Sequence, residues 1–158
     1  MGKYLKMFKW LSVVVAGGMF VMSVIFLPYF IESFKWRAEE YEFLLYPALL
    51  YIWVTSIGFY YIVLLIINIC SNAQSGKGFT ITNARLFDRI ALVALIEIVA
   101  YMIGFVAASI WIMKVNPYLV FAFFIVAFFC LMVFLFCKVM KHLLKQVVEI
   151  KEENEYTV

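Results

Sequence analysis

The chain has 158 residues, of which 67% are hydrophobic and 15% charged, with a net charge of +3 and a mean hydropathy of +1.02. A soluble domain carries about 25% charged residues, so this chain cannot surround a soluble core with a polar shell. The length leaves room for one compact helical bundle and excludes a separate soluble domain. We therefore predict an all-α polytopic membrane protein with a single domain, 1–158.

Four apolar stretches fill most of the chain, at 10–31, 44–70, 90–113 and 118–137. About 20 helical residues cross a hydrocarbon core ~30 Å thick, and such runs are too long for the strands of a membrane barrel. The first stretch follows three lysines, as a signal peptide would, but it is longer than a signal core and lacks a cleavage site. We expect a retained helix and a four-transmembrane-helix antiparallel bundle.

The segment 32–43, between the first two stretches, mixes glutamates with aromatic residues. This composition is typical of an interfacial anchor, and a ligand-sensing acidic cluster is the alternative. Pro28 is predicted to end or kink the first helix, and Pro47 to lie in the first turn of the second helix. The short segment 114–117 predicts a tight turn between antiparallel helices three and four.

The segment 71–89 is predicted to begin as a flexible turn, because small polar residues surround Gly76 and Gly78. Thr82 or Asn83 is predicted to cap the third helix. Gly76-Lys77-Gly78 lacks the spacing of a phosphate-binding loop and no strand precedes it, which argues against nucleotide binding. Phe79 is expected to pack back into the bundle or into the interface.

Glu97 is the one acidic or basic residue inside the four stretches. An ionisable group about 10 Å into the membrane costs at least ~2.5–3.5 kcal/mol, so it normally faces the bundle interior. Tyr101, Gly104 and Ala108 share its helix face, and Gly104 with Ala108 forms a close-packing pattern. Counting depth along the second stretch makes Tyr60 or Tyr61 the expected hydrogen-bond donor.

Two interpretations of Glu97 stay open. In the structural one, a protonated carboxyl locks helices together through a tyrosine hydroxyl. In the functional one, it forms a binding or proton-coupled site for a cationic or amphipathic ligand. Small multidrug transporters also have four helices and one membrane glutamate, but theirs lies in the first helix, so the resemblance is one of kind.

The tail 138–158 is predicted to continue the fourth helix, with an apolar stripe of Val139, Leu143, Val147 and Ile150. The stripe predicts either a helix that rests on headgroups or on the inner loop, or a docking surface for a protein partner. The candidate docking residues are Lys77, Phe79, Arg85, Arg89, Glu152, Glu155 and Val158. The basic loop and the acidic tail could pair with each other when no partner is bound.

Charge along the chain predicts the orientation. Ten of the 13 lysines and arginines lie in 1–9, 71–89 and 138–158. By the positive-inside rule, both termini and the 71–89 loop are cytoplasmic in a bacterial plasma (inner) membrane.

Residues that could carry chemistry are sparse. Three cysteines form no Cys-x-x-Cys pair, and His142 is the single histidine, so neither disulfide chemistry nor a metal site is predicted. We also predict no catalytic residues and no cofactor, and therefore a protein that is not an enzyme.

Two motifs carry a resemblance to a known family: the turn Gly76-Lys77-Gly78-Phe79-Thr80 followed by Asn83, and the ending 150–158, IKEENEYTV. With the four-helix layout, they resemble the YoaS-like bacterial membrane proteins, a family of unknown function. Members are often encoded beside a Cro/cI-type helix-turn-helix regulator. The resemblance implies a membrane-side sensor or regulatory partner of such a regulator, with no direct binding to nucleic acid. The alternative is a small transporter, resistance or immunity protein that uses Glu97. The expected partners are the lipid bilayer and, as a further option, a second copy of the chain in a homo-oligomer.

Overall fold

A computed structural model describes residues 2–34, 42–111 and 117–156, and all regular structure in them is helical. Four helical units in these ranges are long and apolar enough to cross a membrane. This confirms the all-α fold class and the four spanning helices. The elements are α1 (Gly2–Val21), a π-helical turn (Met22–Phe26), α2 (Leu27–Phe34), α3 (Glu42–Gln74), α4 (Ile81–Trp111) and α5 (Pro117–Tyr156).

Pro28 is predicted to end or kink the first helix. It does not end it, because α2 continues to Phe34, but the helix is irregular just before Pro28, at the π-helical turn Met22–Phe26. A proline ring inside a helix clashes with the carbonyl four residues earlier and has no N–H to donate. The chain accommodates Pro28 by widening the preceding turn into a π-helix, in which the Leu27 N–H donates to the Met22 carbonyl. Pro47 is likewise placed one turn deeper than predicted, as the sixth residue of α3.

The helices pack in the order in which they follow one another, with α3 between α1 and α4, and α4 between α3 and α5. Leu65 of α3, Ile90 and Ala91 of α4, and Cys137 of α5 form the buried core. On α4, the buried positions include Ala84, Ala91 and Ala94, and small residues of this kind let helix backbones approach closely.

Three polar contacts show which helix ends lie together. Lys9 Nζ donates to Ser71 Oγ at 3.0 Å, Asn72 Nδ2 donates to Asn83 Oδ1 at 2.7 Å, and Lys138 Nζ donates to Asp88 Oδ1 at 2.8 Å. The start of α1, the end of α3, the start of α4 and the later part of α5 therefore share one side of the molecule. We call it the turn side, after the 75–80 turn. Neighbouring helices are antiparallel, as predicted.

The 75–80 turn, which is predicted to be flexible, has defined backbone hydrogen bonds. Gly76, at φ +76°, ends α3 with the hydrogen bonds of a Schellman motif, from Gly76 N to Ala73 O and from Lys77 N to Asn72 O. Thr80, and neither Thr82 nor Asn83, caps α4, since its Oγ1 accepts from the Asn83 N–H at 3.5 Å.

Asn83 does not cap the helix, and its side chain instead forms hydrogen bonds with the turn. Its side chain is 1% exposed, donates to the carbonyls of Lys77 and Gly78 at 3.2 and 2.8 Å, and accepts from Asn72. A buried amide with all of these bonds made holds α3, the turn and α4 in one arrangement.

The segments 35–41 and 112–116 lie outside the described residues, and with them the centre of the predicted interfacial loop and most of the predicted 114–117 turn.

Candidate intramembrane site and turn side

Glu97 lies between α3 and α4, 9% exposed, on the helix-contact face that the sequence predicts. Gly58 of α3 faces it so closely that a Cβ atom at position 58 would overlap the Glu97 carboxyl. The missing side chain of Gly58 is therefore what makes room for the carboxyl in the helix interface.

Tyr51 lies in the same interface, about two helical turns before Gly58 on α3. Its hydroxyl donates to the Ala100 carbonyl at 2.9 Å, and its ring lies over Gly104, where a Cβ atom would come within 2.5 Å of the Tyr51 hydroxyl. The structure thus confirms Gly104 as a close-packing position.

Tyr101 joins these groups to α5. Its ring meets the rings of Tyr51 and Phe123 edge to face, with centroids 6.3 and 6.5 Å apart, and its hydroxyl interacts with buried Thr55. Glu97 lies one turn before Tyr101 on α4, and Gly58, which faces its carboxyl, lies one turn after Thr55 on α3. We call Tyr51, Thr55, Glu97 and Tyr101 the polar layer.

The structure brings Glu97 and Tyr101 together but not the other two candidates. Tyr60 instead packs its ring against Phe20, with centroids 6.3 Å apart, and Tyr61 is 42% exposed. Among the described residues, neither tyrosine forms a hydrogen bond with Glu97. The signal that sequence reasoning missed is the spacing of Tyr51, Thr55 and Gly58, at i, i+4 and i+7 on one face of α3.

On the turn side, most candidate docking residues are exposed. Phe79 is 64% exposed, so it does not pack into the bundle, and Lys77, Arg85, Arg89 and Glu152 are exposed as well. The side chain of Glu155 and all of Val158 lie outside the described part of the chain.

Pairing of the basic loop with the acidic tail stays a prediction, and the ion pairs described on this side involve other residues. Asp88, at the start of α4, instead contacts Lys138 and Lys141 of α5, each at 2.8 Å. These groups are partly exposed, so each pair is worth only ~0–1 kcal/mol. Both pairs join the start of α4 to α5.

A family model matches residues 29–158, and it is described as "Protein of unknown function (DUF2975)". The chain belongs to this family. The match to DUF2975 covers α3, α4 and α5, and so includes the polar layer, the 75–80 turn and the Asp88 contacts. No curated protein matches this DUF2975 chain, and no solved structure does.

Proposed function

We propose that this protein acts without catalysis, as a multi-pass protein of a bacterial plasma membrane that binds a small helix-turn-helix transcription regulator at the cytoplasmic surface. In this proposal the turn side is cytoplasmic, as the distribution of lysine and arginine along the chain favours.

The observation that supports the proposal is the length of α5 and the exposed apolar residues near its C-terminal end. The helix has 40 residues, about 60 Å at ~1.5 Å per residue, which is twice the thickness of a hydrocarbon core. Near its end Leu143, Val147 and Ile150 are 48%, 41% and 58% exposed. They lie on a different face from Leu144, which is buried against the bundle. An apolar stripe on a helix that projects from the membrane is a surface that a protein partner can cover.

The charge of this end supports a basic partner. Residues 145–158 contain four glutamates and two lysines, and Glu149 and Glu152 are exposed. DNA-binding regulators carry a basic surface, so an acidic helix end is complementary to them. The resemblance to YoaS-like proteins, with its neighbouring Cro/cI-type genes, supports the same class of partner.

The test is co-expression with the helix-turn-helix regulator encoded nearest to this gene, followed by crosslinking and fractionation of membranes. Deleting 149–158, or changing Val147 and Ile150 to serine, should release the regulator from the membrane while insertion stays unchanged. Gln146→Ser, on the same turns, is the matched control and should retain it. If the regulator stays soluble beside the unaltered protein, or if the truncated protein fails to accumulate because the tail is structural, the proposal is wrong.

Burial of Glu97 supports a second candidate function, a small transporter, resistance or immunity protein. No lysine or arginine pairs with this carboxyl among the described residues, and an intramembrane carboxyl that lacks a cation is suited to a cationic ligand or a proton. Glu97→Gln separates the two candidates, because it should abolish a resistance or uptake phenotype and leave capture of the regulator unchanged.

A further inference from the structure

Two arginines on the turn side have no anionic partner in the described protein. Arg85 and Arg89 lie one turn apart at the polar start of α4, and both are exposed. The acid between them, Asp88, points to α5, where Lys138 and Lys141 each contact it at 2.8 Å. Asp88 therefore does not neutralise the arginines, and two guanidinium groups are left facing away from the bundle.

They lie on the same side of α4 as a row of exposed apolar residues. Seven residues make almost two helical turns, so Leu92 lies nearly above Arg85, and Ile96 nearly above Arg89. Leu92, Ile96 and Ile103 are 58%, 56% and 64% exposed. In a membrane, this continuous apolar face is covered by acyl chains, and its arginine end reaches the level of the headgroups.

The adjoining turn presents apolar groups at the same level. Phe79 and Ile81 are 64% and 41% exposed, and the hydrogen bonds of Asn83 to the carbonyls of Lys77 and Gly78 hold this segment in place. An aromatic ring beside cationic groups at the end of a spanning helix is typical of the membrane interface.

We infer that Arg85 and Arg89 bind the phosphodiester headgroup of an anionic phospholipid, whose acyl chains lie along Leu92 and Ile96. A guanidinium group donates two parallel hydrogen bonds to phosphate oxygens. Two guanidinium groups one helical turn apart can both bind the same headgroup. The inference reassigns to lipid two residues that the sequence offered for protein docking. It does not depend on the proposed regulator, whose docking surface lies on α5.

Native mass spectrometry of the full chain, released from nanodiscs of phosphatidylglycerol and phosphatidylcholine, tests the inference. The unaltered protein should retain phosphatidylglycerol in preference to phosphatidylcholine. Arg85→Gln with Arg89→Gln should reduce that preference by about tenfold for each arginine, since a direct hydrogen bond to a charged group contributes about 1.5 kcal/mol. Lys3→Gln with Lys6→Gln removes the same charge from exposed positions on α1 and should leave the preference unchanged.

Two further measurements keep the test decisive. Arg85→Lys with Arg89→Lys keeps the charge needed for insertion but loses the forked contact, so it should show an intermediate preference. Inorganic phosphate in large excess should not displace the lipid, because it lacks the acyl chains. An unchanged preference in the glutamine variant, an equal loss in the α1 control, or displacement by free phosphate would each overturn the inference.

Discussion

At the scale of single residues, the polar layer depends on two glycines, because glycine has no side chain to fill the space beside a polar group. Gly58 lies opposite the Glu97 carboxyl and Gly104 lies opposite the Tyr51 ring, both in the α3–α4 interface. Contact between two helices inside a membrane gains little from the hydrophobic effect, so it depends on close van der Waals packing and on hydrogen bonds between the helices. Small residues at these two points allow both.

We predict that Gly58→Ala destabilises the protein because the added methyl group overlaps the Glu97 carboxyl. Overpacking of this kind costs about 1–3 kcal/mol, more than the gain in helix propensity from glycine to alanine, at most ~1 kcal/mol. Thermal unfolding in detergent should show a lower midpoint for Gly58→Ala. In a Glu97→Ala background the same change should cost close to nothing.

Gly17→Ala is the control for this measurement, because nothing lies within 4 Å of a Cβ atom at position 17. It should leave the midpoint unchanged or raise it slightly. Equal losses for Gly17→Ala and Gly58→Ala would show that the effect comes from helix propensity and not from the Glu97 contact.

The residues of the polar layer could be predicted from the sequence only in part. Glu97 was visible as a lone charge, and its own helix pointed to Tyr101 and Gly104. Its partners on α3 are not, because polar side chains lie on more than one face of that helix, with Tyr51 and Thr55 on one face and Tyr60 on another, so they do not fix its rotation. Counting depth selected Tyr60 and Tyr61, whereas packing turned Tyr51 and Gly58 toward α4.

At the scale of elements, Pro28 has an effect that reaches a second helix. The Leu27 N–H is engaged by the Met22 carbonyl, and Pro28 has no N–H, so the Ser23 carbonyl lacks a donor within its own helix. The indole Nε1 of Trp53 on α3 donates to that carbonyl at 3.0 Å. The carbonyl that the π-helical turn leaves without a donor thereby takes part in a hydrogen bond between helices.

We predict that Trp53→Phe destabilises the protein by about 1–2 kcal/mol, because it removes the donor while the Ser23 carbonyl stays in an apolar environment. In a Pro28→Ala background the cost should disappear, since a regular helix lets the Leu27 N–H bond to the Ser23 carbonyl. A double-mutant cycle of unfolding midpoints measures this coupling. Trp10→Phe serves as the control because Trp10 is 70% exposed, and additive effects of the Pro28 and Trp53 changes would contradict the prediction.

Hydropathy predicted the four helices but not how they end. Thr80, Thr82 and Asn83 are all good capping residues, and the sequence could not choose among them. The choice falls on Thr80 because Asn83 is drawn into a buried network with Asn72 and the 75–80 turn. Neither these tertiary contacts nor the π-helical turn before Pro28 produces a periodic hydrophobic pattern in the sequence, so neither could be predicted from it.

At the scale of the whole molecule, the turn side has polar contacts from all four of the long helical units. The contacts of Lys9 with Ser71, of Asn72 with Asn83 and of Asp88 with Lys138 all lie on the turn side. The buried core, built around Leu65, Ile90 and Cys137, adjoins them. Near the turn side, the α3–α4–α5 unit therefore combines a buried core with polar contacts between its helices.

This arrangement predicts which positions are accessible from each side of the membrane. On a background without native cysteines, single cysteines at Ser75, in the turn, and at Lys145, on α5, should react with an impermeant maleimide from the same side. A cysteine at Ser33, at the far end of α2, should react from the other side. All three positions are exposed, so access to the reagent and not burial decides the labelling.

The same labelling separates the fold from its orientation. In intact cells Ser33→Cys should react and the other two should not, whereas in inverted vesicles the pattern should reverse, because the excess of lysine and arginine favours a cytoplasmic turn side. Labelling of Ser75→Cys and Lys145→Cys from opposite sides would contradict the helix packing itself. Labelling of both from outside would leave the packing intact and reverse only the orientation, and with it the proposal that α5 meets a cytoplasmic regulator.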